Sequence, residues 1–252
     1  MRRITLRRTA VAAGAVSMAL LVSACGSGDT AAKDESKGQE SAAAPAAKAL
    51  SQAELDKLVL TKADLPDHMV AEVTKAELAA SASATGDKTE CKPLVDVMAM
   101  RGAGTPGATA TRKLVAVPKP PAEDASPEEK LQAGLGALGA TSTVDTLGTY
   151  DGQGAADAFA ALKKAGADCA AGVTVTTGGE KMKITKVETA AYTAGDEAVA
   201  FTLGMDLEGE TLKTQLVAVR KGGTVATFYA QSLAGTAQQP KAVIDAQLKK
   251  LG

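Results

Sequence analysis

The sequence predicts an α+β fold: an antiparallel β-meander packed by helices on one face, in a single domain with one disulfide. Three observations carry this expectation. Val199, Phe201, Leu203, Met205 and Leu207 alternate with smaller or polar residues, the period-two signature of a strand with one buried face. Glu208-Gly209 and Gly222-Gly223 then place turns between three successive strand-like stretches, so hairpins rather than crossover helices join them. After Pro240, Ile244, Leu248 and Leu251 recur at helical spacing, and this last helix is expected to lie across the sheet.

The remaining elements follow in chain order. Ser51-Gln52-Ala53-Glu54 reads as a capping box, with Leu55, Leu58 and Val59 as the apolar stripe of a short first helix. Cys91-Lys92-Pro93 leads a second helix carrying Leu94, Val97 and Met98. Residues 114–117 read as a strand, which Pro118, Pro120 and Pro121 end in a loop. Ser126-Pro127-Glu128-Glu129 supplies a cap, a proline at the first helical position and acids that suit a helix start. Residues 141–147 read as a strand and 155–165 as a helix presenting Phe159 and Leu162. Residues 173–176 and 182–187 add the first strands of the meander.

Composition narrows the function classes. The chain has 252 residues and a net charge of -1, but its first 24 hold four arginines and no acid. Without those four, 24 basic residues face 29 acidic ones, a net charge of -5. A nucleic-acid partner would require a basic stripe, and none exists. Trp is absent, with only three Phe and three Tyr, so stacking platforms for bases or sugars are not expected either.

Arg2, Arg3, Arg7 and Arg8 precede an apolar run, residues 10–24, that is too short to span a bilayer. Residues 1–24 read as a signal peptide; Arg7-Arg8 loosely matches a twin-arginine signal, although ordinary secretion is the expectation. The run ends in Leu21-Val22-Ser23-Ala24-Cys25-Gly26, which resembles the lipobox of bacterial lipoproteins. That resemblance implies cleavage after Ala24, a diacylglycerol on Cys25, and a protein anchored by lipid to the outer face of the cell membrane. Residues 25–50 have the composition of a flexible tether, which would hold the domain, residues 51–252, roughly 25–30 Å from the lipid.

With Cys25 assigned to the lipid, Cys91 and Cys169 remain, and an even pair in an exported protein reads as a disulfide. A metal or catalytic thiol pair lacks support, since His68 is the single histidine and no C-x-x-C occurs. Gly134-Leu135-Gly136-Ala137-Leu138-Gly139 matches a dinucleotide fingerprint by letter. A helix pattern precedes it and a strand pattern follows, the reverse of what pyrophosphate binding requires, so no cofactor is expected. Asp206, Glu208 and Glu210 read as a solvated hairpin tip and not a calcium loop. His68 reads as a surface loop residue after Pro66, and no G-x-S-x-G string is present.

Residues 60–66 (Leu-Thr-Lys-Ala-Asp-Leu-Pro), the Cys-x-Pro-Leu helix start at Cys91, a helix ending at Cys169, the long meander and the final helix together resemble a family of actinobacterial envelope proteins. These are lipoproteins related to the extracellular sensor domain of the mycobacterial serine/threonine kinase H. The resemblance implies a disulfide-bridged α+β domain that binds a ligand in a cleft without catalysis. This chain lacks the tryptophan expected near the second helix's cysteine, has one disulfide in place of two, and contains no kinase domain. The leading expectation is therefore a non-enzymatic sensor-like or binding domain whose partners are the membrane, through Cys25, and a small-molecule, lipid or envelope-protein ligand. A carrier of a lipid or cell-wall lipid precursor, with the alternating face of residues 199–207 lining a cavity, is the alternative. A hydrolase using His68 is the third reading.

Overall fold

The structure, a computed structural model, describes residues 48–252 apart from 119, 208 and 233–235. The signal segment, Cys25 and all but the end of the tether lie outside the described residues. The elements are α1 (Gln52–Leu58), β1 (His68–Glu72), α2 (Lys75–Ala82), β2 (Thr85–Gly86), a 3-10 turn (Thr89–Cys91), α3 (Lys92–Met98), β3 (Ala108–Ala116), α4 (Pro127–Leu138), β4 (Ser142–Thr149), α5 (Gly154–Asp168), β5 (Val173–Thr177), β6 (Glu180–Ala190), β7 (Glu197–Leu207), β8 (Glu210–Lys221), β9 (Thr224–Gln231) and α6 (Lys241–Leu251). One antiparallel sheet holds all nine strands in the order β1-β3-β4-β9-β8-β7-β6-β5-β2. The class is α+β.

Local chemistry explains where the helices begin. At α1, Ser51 Oγ accepts from the Glu54 amide while the Glu54 carboxylate accepts from the Ser51 amide at 2.8 Å. Thr74 and Glu77 repeat that capping box at α2, and Ser126 and Glu129 exchange the same two bonds at α4. Pro93 sits in the first turn of α3, where its missing N–H costs nothing.

Helices cover both faces of the sheet, not one. Leu216, Ala218, Val225 and Tyr229 pack with Leu94, Val95, Val97, Phe159 and Leu162 of α3 and α5. The alternate residues Val217, Val219, Ala226 and Phe228 pack with Leu55, Val243 and Ile244 of α1 and α6. The reason lies in β8 and β9, where Leu216-Val217-Ala218-Val219 and Val225-Ala226 are apolar without alternation and require cover on each side. The strict alternation of β7 describes a strand beside that centre. Its Val199, Phe201, Leu203 and Met205 lie on the α5 face. Gly166 in α5 permits that contact, because a Cβ there would come within 2.1 Å of the Phe201 ring.

A disulfide joins Cys91, at the entry to α3, to Cys169, at the end of α5; both are fully buried. Below it, Arg101 binds the buried Asp96 carboxylate at 2.7 Å and donates to the carbonyls of Ser81, Ala82 and Ala84. This ties α2 and β2 to α3. On the opposite face, Lys250 of α6 reaches the Val59 carbonyl and Asp64, both at 2.9 Å, and Gln247 donates to the Leu58 carbonyl. The Thr61 hydroxyl and Lys250 hold the Asp64 carboxyl down to about 2.

The bridge closes a separation of 78 residues, which the chain-entropy treatment values at about 4.5 kcal/mol. The Cys91→Ala/Cys169→Ala variant should lose stability of that order in urea unfolding. A loss below about 1 kcal/mol would contradict a stabilising role for the bridge.

Candidate functional site

Four concavities can be compared by whether their polar groups are already spent. One of about 220 Å³ is bordered by Lys88, Lys92 and Arg101. Lys88 already donates to the Gly172 carbonyl, Lys92 to Asp96, and Arg101 to Asp96 and three carbonyls. Another, of about 370 Å³ between α1 and β3, is bordered by Gln52, Asp56, Glu72 and Arg112. There Gln52 donates to Asp56 and to the Thr109 carbonyl, and Arg112 lies 3.6 Å from Glu72. The third, of about 510 Å³, opens among Lys62, Pro66, Asp67, Val117, Pro118 and Pro120, with the Lys62 ammonium held by the Pro66 and His68 carbonyls.

The fourth is different. It measures about 350 Å³ and lies where the start of α6 meets the outer strands, bordered by His68, Ala116, Thr141, Thr143 and residues 238–243. Thr143 is 2 % exposed, and its hydroxyl makes no hydrogen bond among the described residues. The His68 Nδ1 is buried and unpartnered. Pro240 caps α6 without a side-chain hydrogen bond, and the Ala242 and Val243 amides meet no acceptor among the described residues. Amides at a helix start carry the positive end of the macrodipole. The pocket thus collects unspent donors between the aliphatic groups of Ala116, Pro240, Ala242 and Val243.

Strand register explains how these side chains come together. His68 pairs with Ala116, and Leu114 with Thr143, so all project from the face that α6 covers. The same register keeps His68 from Thr143. They stand two strands apart and two residues offset, roughly 12 Å between Cα atoms, so the imidazole cannot activate that hydroxyl. Burial lowers the His68 pKa against the raising effect of Asp67, favouring the neutral ring.

Two residues beyond Thr143 on the same face, Asp145 is 1 % exposed and neither carboxylate oxygen has a partner. It faces Arg112 on β3 and Phe228 on β9. Burial pushes its pKa up to about 8 and outweighs the opposing pull of Arg112. Gln247 Oε1 on α6 is likewise buried and unpartnered. Sequence reasoning missed Thr143 and Asp145 because both read as the polar half of an alternating strand.

The other sequence candidates fall as follows. His68 stands at the start of edge strand β1, half buried, and not in a surface loop. Its neighbours in the chain form a strand because residues 68–72 pair with β3. The Gly134–Gly139 string closes α4 and precedes β4, helix before strand. Asp206 and Glu210 flank a hairpin tip where Asp206 accepts from the Gly209 amide at 3.0 Å; Glu208 lies outside the described residues. Among the described residues, no cluster of His, Cys, Asp and Glu could hold a metal, and no helix is long and apolar enough to cross a membrane.

No family model matches the sequence, and no curated protein does. Two solved structures share its layout weakly. The extracellular domain of PknH from Mycobacterium tuberculosis is 13% identical over 81% of this chain and 96% of its own, with a TM-score of 0.43. An uncharacterized protein of Mycobacterium smegmatis, the Rv0999 ortholog, is 12% identical over 79% and 94%, with a TM-score of 0.33. At identities and TM-scores this low, neither transfers a ligand, partner or activity to this chain.

Because Asp145 binds its proton more tightly folded than unfolded, the stability it contributes is whole below about pH 4 and is lost as pH rises through about 8. Asp145→Asn should remove that loss. Its melting temperature should overtake that of the parent between pH 5 and 9, by an amount worth a few kcal/mol. Parallel curves across that range would show that the carboxyl titrates normally.

Proposed function

We propose that this chain is a non-enzymatic, lipid-anchored extracytoplasmic protein whose domain binds a small ligand, with Cys25 carrying the anchor. The observation behind the binding role is the pocket at the start of α6, whose Thr143 hydroxyl and Ala242 and Val243 amides are in place but unspent. Buried polar groups ordinarily find partners during folding, and a ligand is one way to supply them. The anchor rests on the lipobox and the arginine-led apolar run before it. The non-catalytic reading draws support from the separation of His68 from Thr143.

The carrier reading loses the cavity it required. Val199, Phe201, Leu203 and Met205 pack directly on α5, and only Leu207 at the strand end is exposed. A lipid tail would need that space empty.

Native mass spectrometry of the full chain, extracted from membranes in mild detergent, tests both parts. The expected species begins at Cys25, carries diacylglycerol there, and holds a non-covalent adduct that dissociates on collisional activation. A chain retaining residues 1–24 would overturn the anchor. An adduct-free chain that no small molecule of a broad panel stabilises against heat would overturn the binding role.

A further inference from the structure

We propose that the pocket at the start of α6 seats a small organic carboxylate, its oxygens taken by the Ala242 and Val243 amides and the Thr143 hydroxyl; this rests on the binding role proposed above. The helix start alone would be a weak anion site. Thr143 makes it a stronger one, because this residue, 2 % exposed, borders the pocket and its hydroxyl has no partner among the described residues, so a ligand or water completes it.

Charge selects a carboxylate over a phosphate. Arginine, whose planar fork suits phosphate, is missing from the pocket's border. The one cation there, Lys241, is 2.8 Å from Asp245, and Asp67 adjoins His68, so the side chains around the pocket sum to little net charge. Neutral donors and a helix dipole offset one negative charge better than two. Ala116, Pro240 and the Val243 side chain border the rest of the space with aliphatic groups, which fits a short hydrocarbon body behind the carboxylate. A volume of about 350 Å³ admits a small metabolite and stands near the lower end of small-molecule sites.

The test follows the amide resonances of Ala242 and Val243 in the full chain in detergent micelles, titrated with butyrate, its neutral isostere butyramide, and inorganic phosphate. Butyrate should shift both amides, with butyramide and phosphate at least fivefold weaker. Thr143→Val should weaken butyrate five- to tenfold while leaving the melting temperature equal or higher, since it removes a hydroxyl without a partner among the described residues from a nearly inaccessible residue. That opposition separates a ligand contact from a structural role. Equal shifts from butyrate and butyramide would overturn the carboxylate assignment and leave the binding role standing. Tighter phosphate binding would do the same. An unchanged affinity in Thr143→Val, or no shift with any probe, would overturn this site. An adduct in native mass spectrometry would then place binding elsewhere on the domain.

Discussion

Two-sided burial at the centre of the sheet is the constraint on which the rest of this molecule depends. Leu216, Val217, Ala218 and Val219 are all essentially inaccessible, and adjacent residues of a strand face opposite ways. Neither face can be left to water. A chain with no Trp and three Phe therefore builds two thin aliphatic layers, with Phe201 filling one and Phe228 the other. Each layer needs helices to close it.

The two faces are closed by different means. On the first, a covalent bond and the Arg101–Asp96 ion pair lock α3, α5 and β2 together, and Thr214 Oγ1 of β8 is buried there without a partner. On the second, α6 is held at its C-terminal half by Lys250 and Gln247. Its opposite end has no side-chain cap and rests beside Thr143. Most of the buried polar atoms without partners among the described residues, the Asp145 carboxylate oxygens, Gln247 Oε1 and His68 Nδ1, lie on this second face. A face with uncompensated polar groups is less stable than an aliphatic one of the same shape, and such sites are where binding is commonly found.

Much of the architecture was legible in local chemistry. The Ser51-Glu54 box, Pro127 after Ser126, the β7 alternation and the helix after Pro240 each marked an element that formed, and Cys91 and Cys169 are joined. What escaped reading had weak local signal. Residues 68–72 form a short edge strand with Met69 exposed, held in place by β3 across some forty residues of chain. In α2, Ser81 is the one buried residue, so no apolar stripe announces it, although Thr74-x-x-Glu77 spelled its cap. Helices on both faces could be inferred only from β8 and β9, whose continuous apolar runs outweigh the alternation of β7. Thr143 and Asp145 were invisible for another reason. Alternation shows which residues share a face, but not whether that face meets water or a helix.

Residue-resolved native-state hydrogen exchange on the full chain in micelles tests most directly whether the doubly clad sheet centre carries the fold while the start of α6 stands unfastened. Amides of Val217 and Ala218 in β8, and of Ala226 and Thr227 in β9, should exchange only through global unfolding, while those of Ala242 and Val243 should exchange near the rate of an unprotected chain. Exchange of the β8 and β9 amides through openings well below the global free energy, or strong protection at Ala242 and Val243 without ligand, would contradict the account.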